Sequence, residues 1–248
     1  MKVSVITVTY NSVHTLEQTI LSVAAQDYPG IEYIIVDGGS TDGTLSLIDR
    51  YRIHVSKFIS EADEGLYHAL NKGISLAEGD VIAFLHSDDF YTGPGVISAY
   101  VALFQKQNCM AIYSDLYYVD RYNTDKIIRK WRSGNYRKGS FLQGWMPPHP
   151  TFLARKEMYE RFGIFNTSLK SAADYELMLR FIHKHQIHIC YLPQFTIKMR
   201  AGGKSNVSLK NRLAANTEDR RAWAINGLQP KFYTLYLKPL RKLFQFFI

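Results

Sequence analysis

The first half of the chain alternates short apolar runs, rich in β-branched residues, with segments whose apolar residues recur at helical spacing. Runs of this length predict buried strands, and a 3.6-residue repeat predicts amphipathic helices. Alternating strands and helices are typical of an α/β fold with a mostly parallel, Rossmann-like sheet flanked by helices. The predicted strands are residues 2–9, 32–37, 55–60 and 81–86, and the predicted crossover helices are residues 15–25 and 67–77.

The second half is less regular and predicts a further layer built onto the first sheet. Nothing divides the chain clearly before about residue 205, so residues 1–205 are expected to form one domain and residues 206–248 an extension. The predicted strands of the second half are residues 110–118, 127–131, 151–153 and 189–192, and its predicted helices are residues 156–162 and 172–185.

The composition indicates a globular protein. A chain of 248 residues with 46% hydrophobic and 21% charged residues is too apolar to be disordered. Cys109 and Cys190 lack the short spacing of a metal or redox motif, which favours a reducing compartment such as the cytoplasm. The apolar run 3–10 is too short for a secretory signal, and no stretch reaches the roughly 18 to 20 apolar residues that span a bilayer.

The positive charge is concentrated near the C-terminus. Of the formal net charge of +8, residues 209–248 contribute eight basic residues against two acidic ones, without a recognised nucleic-acid-binding motif. Residues 230–248 interleave basic and aromatic residues, a pattern that predicts contact with an anionic membrane surface, although Pro239 interrupts the helix. Folding back on the core, or pairing with a second subunit, stays open as an alternative. The residues that share one helical face are Phe232, Tyr236, Leu240, Leu243 and Phe247.

Candidate chemistry follows the second strand. The loop 37–43 joins a strand-end carboxylate, Asp37, to glycines that allow a ligand to approach the backbone. The same loop could be a tight turn in which Ser40 or Asp42 caps the next helix. A dinucleotide site would need a glycine-rich fingerprint after the first strand, and the chain has Thr9 and Tyr10 there instead, so NAD is disfavoured.

Two adjacent carboxylates, Asp88 and Asp89, follow the fourth strand. Like charges side by side raise each other's pKa, so a nearby cation is a natural reason to keep both ionised. Carboxylates combined with substrate phosphates are typical ligands of Mg²⁺ or Mn²⁺. The alternative is that the pair caps a turn.

Another acidic motif begins the predicted helix 172–185. Ser171 is a candidate N-cap, which places Asp174 in the first turn, where backbone N–H groups favour an ionised carboxylate. This position suits a general base, and it equally suits an acid that only complements the helix dipole. The acidic loop 61–65 before the helix 67–77 could line a ligand pocket through Asp63 or Glu61, or could only complement the dipole of that helix.

Four motifs together resemble the family 2 glycosyltransferases with the GT-A fold, in the order seen there. They are VSVITVTYN at 3–11, DGGSTDG at 37–43, SEADEGLY at 60–67 leading to NKG at 71–73, and SDD at 87–89. The resemblance covers residues 1 to about 200 and is strongest to bacterial enzymes that assemble O-antigen, capsule and exopolysaccharide. It implies a divalent metal, Mn²⁺ or Mg²⁺, and inverting transfer of a sugar from a nucleotide donor, most simply a UDP-sugar, to a hydroxyl of a glycan or lipid-linked acceptor.

The catalytic domain is expected to have a nucleotide-side half at about 1–108 and an acceptor-side half at about 109–205. The resemblance also implies roles for individual residues. Relatives carry an acidic or amide residue just ahead of the carboxylate pair, where this chain has His86. The segment 200–205 could be a mobile loop that closes over the donor phosphates, or only the loop through which the chain leaves the core. The implied donor-binding residues are Thr9, Tyr10, Asp37, Asp63, Asn71 and Asp88, the metal ligands Asp89 and Asp88, the base Asp174 with Glu176 as helper, and the acceptor contacts Trp145 and His149.

Three further expectations accompany this interpretation. A lipid-linked acceptor would place the protein at the inner face of the cytoplasmic membrane, and a homo-oligomer is possible. Trp145 could stack on an acceptor sugar or could be ordinary loop packing. The competing functions are an inactive module that binds sugar nucleotides and a basic protein that binds nucleic acid.

Overall fold

The computed structural model describes residues 1–202 and 209–244, with side chains given for all of these except 209–215 and 242–244. Nine strands within the described residues form one sheet, in the order β3-β2-β1-β4-β8-β6-β9-β5, with β7 paired to β6. The strands are β1 Val3–Thr9, β2 Ile31–Asp37, β3 Lys57–Ser60, β4 Val81–Phe84, β5 Asp89–Tyr91, β6 Ala111–Val119, β7 Ile127–Trp131, β8 Leu153–Arg155 and β9 Ile189–Arg200.

The sheet has a parallel part and a mixed part. Strands β3, β2, β1 and β4 run parallel, as the alternating pattern of the first half predicts. Strand β8 then lies antiparallel between β4 and β6, while β6 and β9 are parallel to each other. The carboxyl ends of β1, β2 and β4 therefore lie side by side, which brings the loops after these strands to one edge.

Helices cover both faces of the sheet. They are α1 Leu16–Ala24, α2 Thr44–Arg50, α3 Leu66–Leu76, α4 Val96–Gln107, α5 Lys156–Phe162, α6 Ala173–Met178, α7 Leu209–Ile225 and α8 Thr234–Phe244. Along β1, Val3 and Val5 face the apolar cluster that includes α1, α2 and α4, whereas Ile6 and Val8 face the cluster that includes α3, α5 and α6. A parallel sheet buried on both faces accounts for the nearly continuous apolar runs of its strands.

The predicted elements of the first half are confirmed to within about two residues, but α2, α4 and β5 were missed. In the second half, β8 lies two residues later than predicted, and β9 runs to Arg200 rather than ending at 192. The register of β9 against β6 shifts between Leu192 and Phe195, around Pro193. Proline has no N–H for the ladder, so a bulge lets the strand continue past it.

The C-terminal helices pack on the rest of the chain. Trp223 of α7 is fully buried and Leu235 of α8 nearly so, and both belong to the apolar cluster that includes α6. For the described part of this segment, folding back on the core is therefore what the structure shows. No helix within residues 1–202 and 209–244 is both long and apolar enough to cross a membrane.

Candidate active site

The loop after β2 is organised around Asp37. This carboxylate is fully buried and accepts hydrogen bonds from the amides of Gly39 (3.0 Å) and Ser40 (2.9 Å). It also accepts from the hydroxyls of Ser40 (2.5 Å) and Ser60 (2.7 Å). Oδ2 accepts three of these bonds and Oδ1 only the one from the Ser40 hydroxyl, so nucleoside binding by Asp37 stays a prediction. Its role here is to hold the loop between β2 and α2.

The same loop is tied to the end of β1. Ser40 Oγ accepts the amide of Asn11 at 2.8 Å, and Asn11 Oδ1 accepts the amide of Thr41 at 2.9 Å. Tyr10 is exposed above Gly38, while Thr9 is buried with a hydroxyl that lacks a hydrogen-bond partner among the described residues. Thr9 and Tyr10 thus remain available to line a donor site at the carboxyl end of β1.

Two other predicted donor residues, Asp63 and Asn71, make contacts that involve α3. Asp63 Oδ1 lies 2.5 Å from Lys72 Nζ, which also contacts Glu61 at 2.6 Å. Asn71 uses its whole amide on the backbone of Phe165, accepting its N–H at 3.0 Å and donating to its carbonyl at 2.9 Å. These two bonds hold α3 to the segment after α5, and donor binding by Asn71 stays a prediction.

Asp174 lies in the first turn of α6, as predicted, and its carboxylate is held from two sides. The hydroxyl of Tyr67 donates to Oδ1 at 3.3 Å, and Nδ1 of His149 lies 3.2 Å from Oδ2. Burial, with the Asp174 charge beside it, raises the pKa of Tyr67, so this hydroxyl keeps its proton and donates. The Asp174 side chain stays partly exposed, so an oriented carboxylate is open to the solvent. The partly exposed region that contains Asp174, His149 and Asp88 is called the cleft below.

His86 joins the end of β4 to this group. Its ring lies 5.5 Å from that of His149, centroid to centroid. Burial lowers the pKa of His86 to about 4, and a charge on His149 acts in the same direction, while Asp88 and Asp174 oppose it. At neutral pH His86 is therefore an uncharged side chain between the carboxylate pair and Asp174.

Asp88 and Asp89 have different surroundings although they are adjacent. Asp88 is partly exposed, and its backbone carbonyl accepts Arg200 Nη1 at 2.6 Å. Asp89 is fully buried, and neither carboxylate oxygen has a hydrogen-bond partner within the described part of the chain. Burial raises the pKa of Asp89 well above its usual value, the Asp88 charge raises it further, and Arg200 opposes both. A buried carboxylate without a hydrogen-bond partner destabilises the fold unless a cation lies nearby.

These two carboxyl groups fit a divalent cation held mainly by a ligand. No group of three His, Cys, Asp or Glu side chains that could bind a metal occurs within residues 1–202 and 209–244. Mg²⁺ and similar ions need only one or two carboxylates when substrate phosphates and water complete the shell. Asp88 is the more accessible of the pair and Asp89 the buried one, and their assignment as metal ligands stays a prediction.

Glu176 and Trp145 lie away from the cleft. Glu176 is buried and bound to Arg180 (2.9 and 3.0 Å) and to Asn226 Nδ2 (2.9 Å). Trp145 donates Nε1–H to the carbonyl of Ser133 at 2.9 Å and packs among aromatic rings in the core. Trp145 packs in the core, as its packing alternative expects, and the acceptor role of Trp145 and the helper role of Glu176 stay predictions.

Sequence reasoning missed the roles of three residues of this region: Tyr67, which contacts Asp174, Arg200, which binds the Asp88 backbone, and Tyr118, which the charges of Asp89 and Asp174 influence. The charges of Asp89 and Asp174 both raise the pKa of Tyr118, whose main pKa shift comes from burial. The guanidinium of Arg200 bridges the Asp88 carbonyl and Gln18. Tyr67 ends a quoted motif and could have been noticed as a polar group on a buried helix face, whereas the other two give no local signal.

Known proteins resemble this chain in sequence and in structure. The model of glycosyl transferase family 2 matches residues 4–165. The glycosyltransferase Rv1514c of Mycobacterium tuberculosis is 35% identical over 181 residues, which cover 72% of this chain and 68% of the relative. TuaG of Bacillus subtilis, whose name assigns it to teichuronic acid biosynthesis, is 45% identical over 92 residues, which cover 35% of this chain and 36% of TuaG.

The fold is found in solved glycosyltransferases. TarS of S. aureus in complex with UDP-GlcNAc superposes with a TM-score of 0.70 at 20% identity, covering 96% of this chain and 69% of TarS. The mannosyltransferase PcManGT of Pyrobaculum calidifontis, in complex with GDP-Man and Mn²⁺, gives 0.69 at 20% identity, covering 96% and 68%. At this identity the likeness shows the GT-A fold alone. The family match and the 35% identity to Rv1514c show that the chain belongs to glycosyl transferase family 2.

Proposed function

We propose that this protein is an inverting, metal-dependent glycosyltransferase that moves a sugar from a nucleotide-diphosphate donor, a UDP-sugar, to a hydroxyl of a glycan or lipid-linked acceptor. The observation that carries the proposal is the placement of Asp174, held by Tyr67 and His149, in the same cluster as His86 and the carboxylate pair. An oriented base near a candidate phosphate-and-cation site is what an inverting transfer requires.

The donor and the pathway are supported by similarity. The structural neighbours TarS and PcManGT are in complex with UDP-GlcNAc and with GDP-Man and Mn²⁺, respectively. Relatives are named for teichuronic acid and for PGL/p-HBAD biosynthesis. We therefore place the enzyme in bacterial surface polysaccharide synthesis, where a lipid-linked acceptor would be met at the inner face of the cytoplasmic membrane.

In the transfer step, Asp174 accepts the proton of the acceptor hydroxyl while that oxygen bonds to the anomeric carbon. The bond from the anomeric carbon to the diphosphate oxygen breaks on the opposite face, which inverts the configuration. The hydrogen bond from Tyr67 and the contact with His149 orient the base, and the proton moves to it as the new bond forms. General base catalysis of this kind contributes about 10²- to 10⁴-fold.

On the donor side, Asp88 is the residue that would hold the cation, with the enclosed Asp89 behind it. A divalent cation bound there neutralises charge that develops on the diphosphate as it leaves. Arg200 holds the Asp88 backbone in place through its carbonyl, so the carboxylate is presented from a fixed strand end. Thr9 and Tyr10, at the end of β1, would line the nucleotide side.

The test is a panel of nucleotide sugars incubated with the protein, with Mn²⁺ or with excess chelator. We expect one donor to release its nucleoside diphosphate only when metal is present. With a suitable acceptor, the product examined by NMR should carry the opposite anomeric configuration to the donor. Retained configuration, or equal turnover in chelator, would overturn the inverting or the metal-dependent part of the proposal respectively.

A further inference from the structure

The last described helix, α8, is fixed to the protein by one face. Thr234 Oγ1 donates to the carbonyl of Leu142 at 2.6 Å, and Arg241 Nε donates to that of Gln143 at 3.0 Å. Lys238 Nζ binds both carboxylate oxygens of Asp219 at 2.7 Å. Because these bonds and the buried Leu235 define the inner face, the outer face has a defined orientation on the molecule.

The outer face carries an apolar stripe. Phe232, Tyr236 and Leu240 follow one another at four-residue intervals and are 86%, 64% and 49% exposed. Tyr236 and Leu240 therefore lie on the same side of α8, and Phe232 lies in the turn just before the helix. Single exposed apolar residues are ordinary on protein surfaces, as Ile53 and Tyr122 are here, but these three follow one another at a regular interval along one exposed segment.

The charges around the stripe are positive. Residues 230–241 contain three basic residues and no acidic one. Lys238 is engaged with Asp219, whereas Lys231 is exposed, and Arg241 lies at the edge between the two faces, exposed although its Nε binds the Gln143 carbonyl. Aromatic residues flanked by lysine and arginine are typical of segments that lie in the interface of an anionic bilayer, where rings enter the headgroup region and cations meet lipid phosphates.

We propose that this stripe, Phe232, Tyr236 and Leu240 with Lys231 and Arg241, is a docking surface for an anionic lipid bilayer. It refines the membrane contact expected of residues 230–248: the inner face of α8 binds the protein, and the outer face binds lipid. Leu243 and Phe247, the other two predicted members, fall where no side chain is described.

The location of the surface suits a transferase with a lipid-linked acceptor. The inner face of α8 contacts residues 142–143, which lead into the segment that carries His149. Lys238 also lies 3.6 Å above the ring of Tyr175, the residue next to Asp174. Docking would therefore bring the acceptor side of the cleft toward the bilayer. Only this last step rests on the proposed function, since lipid binding itself requires no activity.

The experiment is cosedimentation of the full chain with vesicles of phosphatidylcholine containing phosphatidylglycerol, or of phosphatidylcholine alone. We expect binding to the anionic vesicles that weakens as NaCl rises. The triple variant Phe232→Ser, Tyr236→Ser, Leu240→Ser should lose at least about tenfold in binding. The control, Ile53→Ser with Tyr122→Ser, removes two exposed apolar residues elsewhere and should bind as the wild type does.

A second variant tests the charges without touching the stripe. Lys231→Glu should weaken binding to anionic vesicles by about tenfold and leave thermal unfolding unchanged. The proposal is overturned if the triple variant, folded by thermal unfolding, binds like the wild type. It is also overturned if the wild type fails to bind anionic vesicles at low salt, or binds phosphatidylcholine equally well. Donor hydrolysis is measured in parallel to separate this result from the proposed function. If the wild type hydrolyses the donor but does not bind anionic vesicles, the docking proposal fails and the proposed function stands.

Discussion

The loops that follow β2 and β4 lie at the same edge of the sheet and use their carboxylates in opposite ways. In the first, Asp37 is enclosed by four hydrogen-bond donors from its own loop and from Ser60. In the second, Asp88 is partly exposed, and the oxygens of Asp89 have no hydrogen-bond partner in the described chain. A strand-end carboxylate therefore becomes a candidate ligand only when its bonding capacity is not already used within the protein.

The same contrast recurs within a single helix. Asp174 and Glu176 are two residues apart on α6, yet Asp174 is partly exposed whereas Glu176 is buried against Arg180 and Asn226. The carboxylates thus fall into a saturated group with structural roles, Asp37 and Glu176, and a cleft group with candidate chemical roles, Asp88 and Asp174. Exchanging each acid for its amide tests the division, because the amide keeps the size and removes the charge.

The largest effect is expected at Asp88. Asp88→Asn should lower sugar transfer by about 10³-fold, because the accessible carboxylate that would hold the cation loses its charge. Excess chelator should do the same to the wild type and little more to the variant. Initial rates with and without Mn²⁺ check this, with Asp49→Asn on the exposed side of α2 as the control. Equal Mn²⁺ activation of variant and wild type would remove Asp88 from the metal site.

The donors to Asp174 should have an intermediate effect. Tyr67→Phe removes only the hydroxyl that reaches Oδ1, and His149→Gln replaces the group beside Oδ2. Each should lower kcat by about tenfold and leave donor KM within about twofold, since a loosened base affects the chemical step more than donor binding. A rise in KM at constant kcat would instead make these residues ligand contacts.

At Asp37 the expected effect is on stability. Asp37→Asn removes the charge and turns one acceptor oxygen into a donor. That donor faces the amides of Gly39 and Ser40 and the hydroxyl of Ser60 at the Oδ2 position, or the hydroxyl of Ser40 at the Oδ1 position. The free energy of unfolding should fall by about 1–3 kcal/mol, as when buried hydrogen bonds are lost. Chemical denaturation measures this, and Asp49→Asn again serves as the control. Unchanged stability with weakened donor binding would move Asp37 into the cleft group.

The smallest effect is expected at Glu32, another saturated carboxylate. Burial raises its pKa, but hydrogen bonds from Ser4, the Glu78 amide and Lys2 outweigh burial and lower it to about 2. A depressed pKa stabilises the fold fully above pH 4.5, and this contribution is lost as the pH falls toward 2. Glu32→Gln should therefore unfold at a Tm a few degrees lower at pH 7. The difference in Tm between the variant and the wild type should become smaller in acid. A difference that does not depend on pH would contradict the lowered pKa of Glu32.

The sequence predicted the parallel half of the fold well, because β-branched runs and helical spacing are local signals. It also predicted the strand-end positions of Asp37 and Asp88 and the first-turn position of Asp174. It could not divide the acids into two groups, since that depends on partners remote along the chain. Asp37 accepts a hydrogen bond from Ser60, and Glu176 accepts one from Asn226. Asp174 accepts one from Tyr67, which is 107 residues away along the chain.

The central claim is that Asp174 is the base and that its neighbour Glu176 is not. The most direct measurement compares Asp174→Asn with Glu176→Gln in donor binding by calorimetry and in transfer at saturating donor and acceptor. The account predicts that Asp174→Asn binds donor normally and loses about 10²- to 10⁴-fold in kcat. Glu176→Gln should keep kcat within a few-fold and lose stability instead. An Asp174→Asn enzyme that turns over within a few-fold of the wild type would contradict the account.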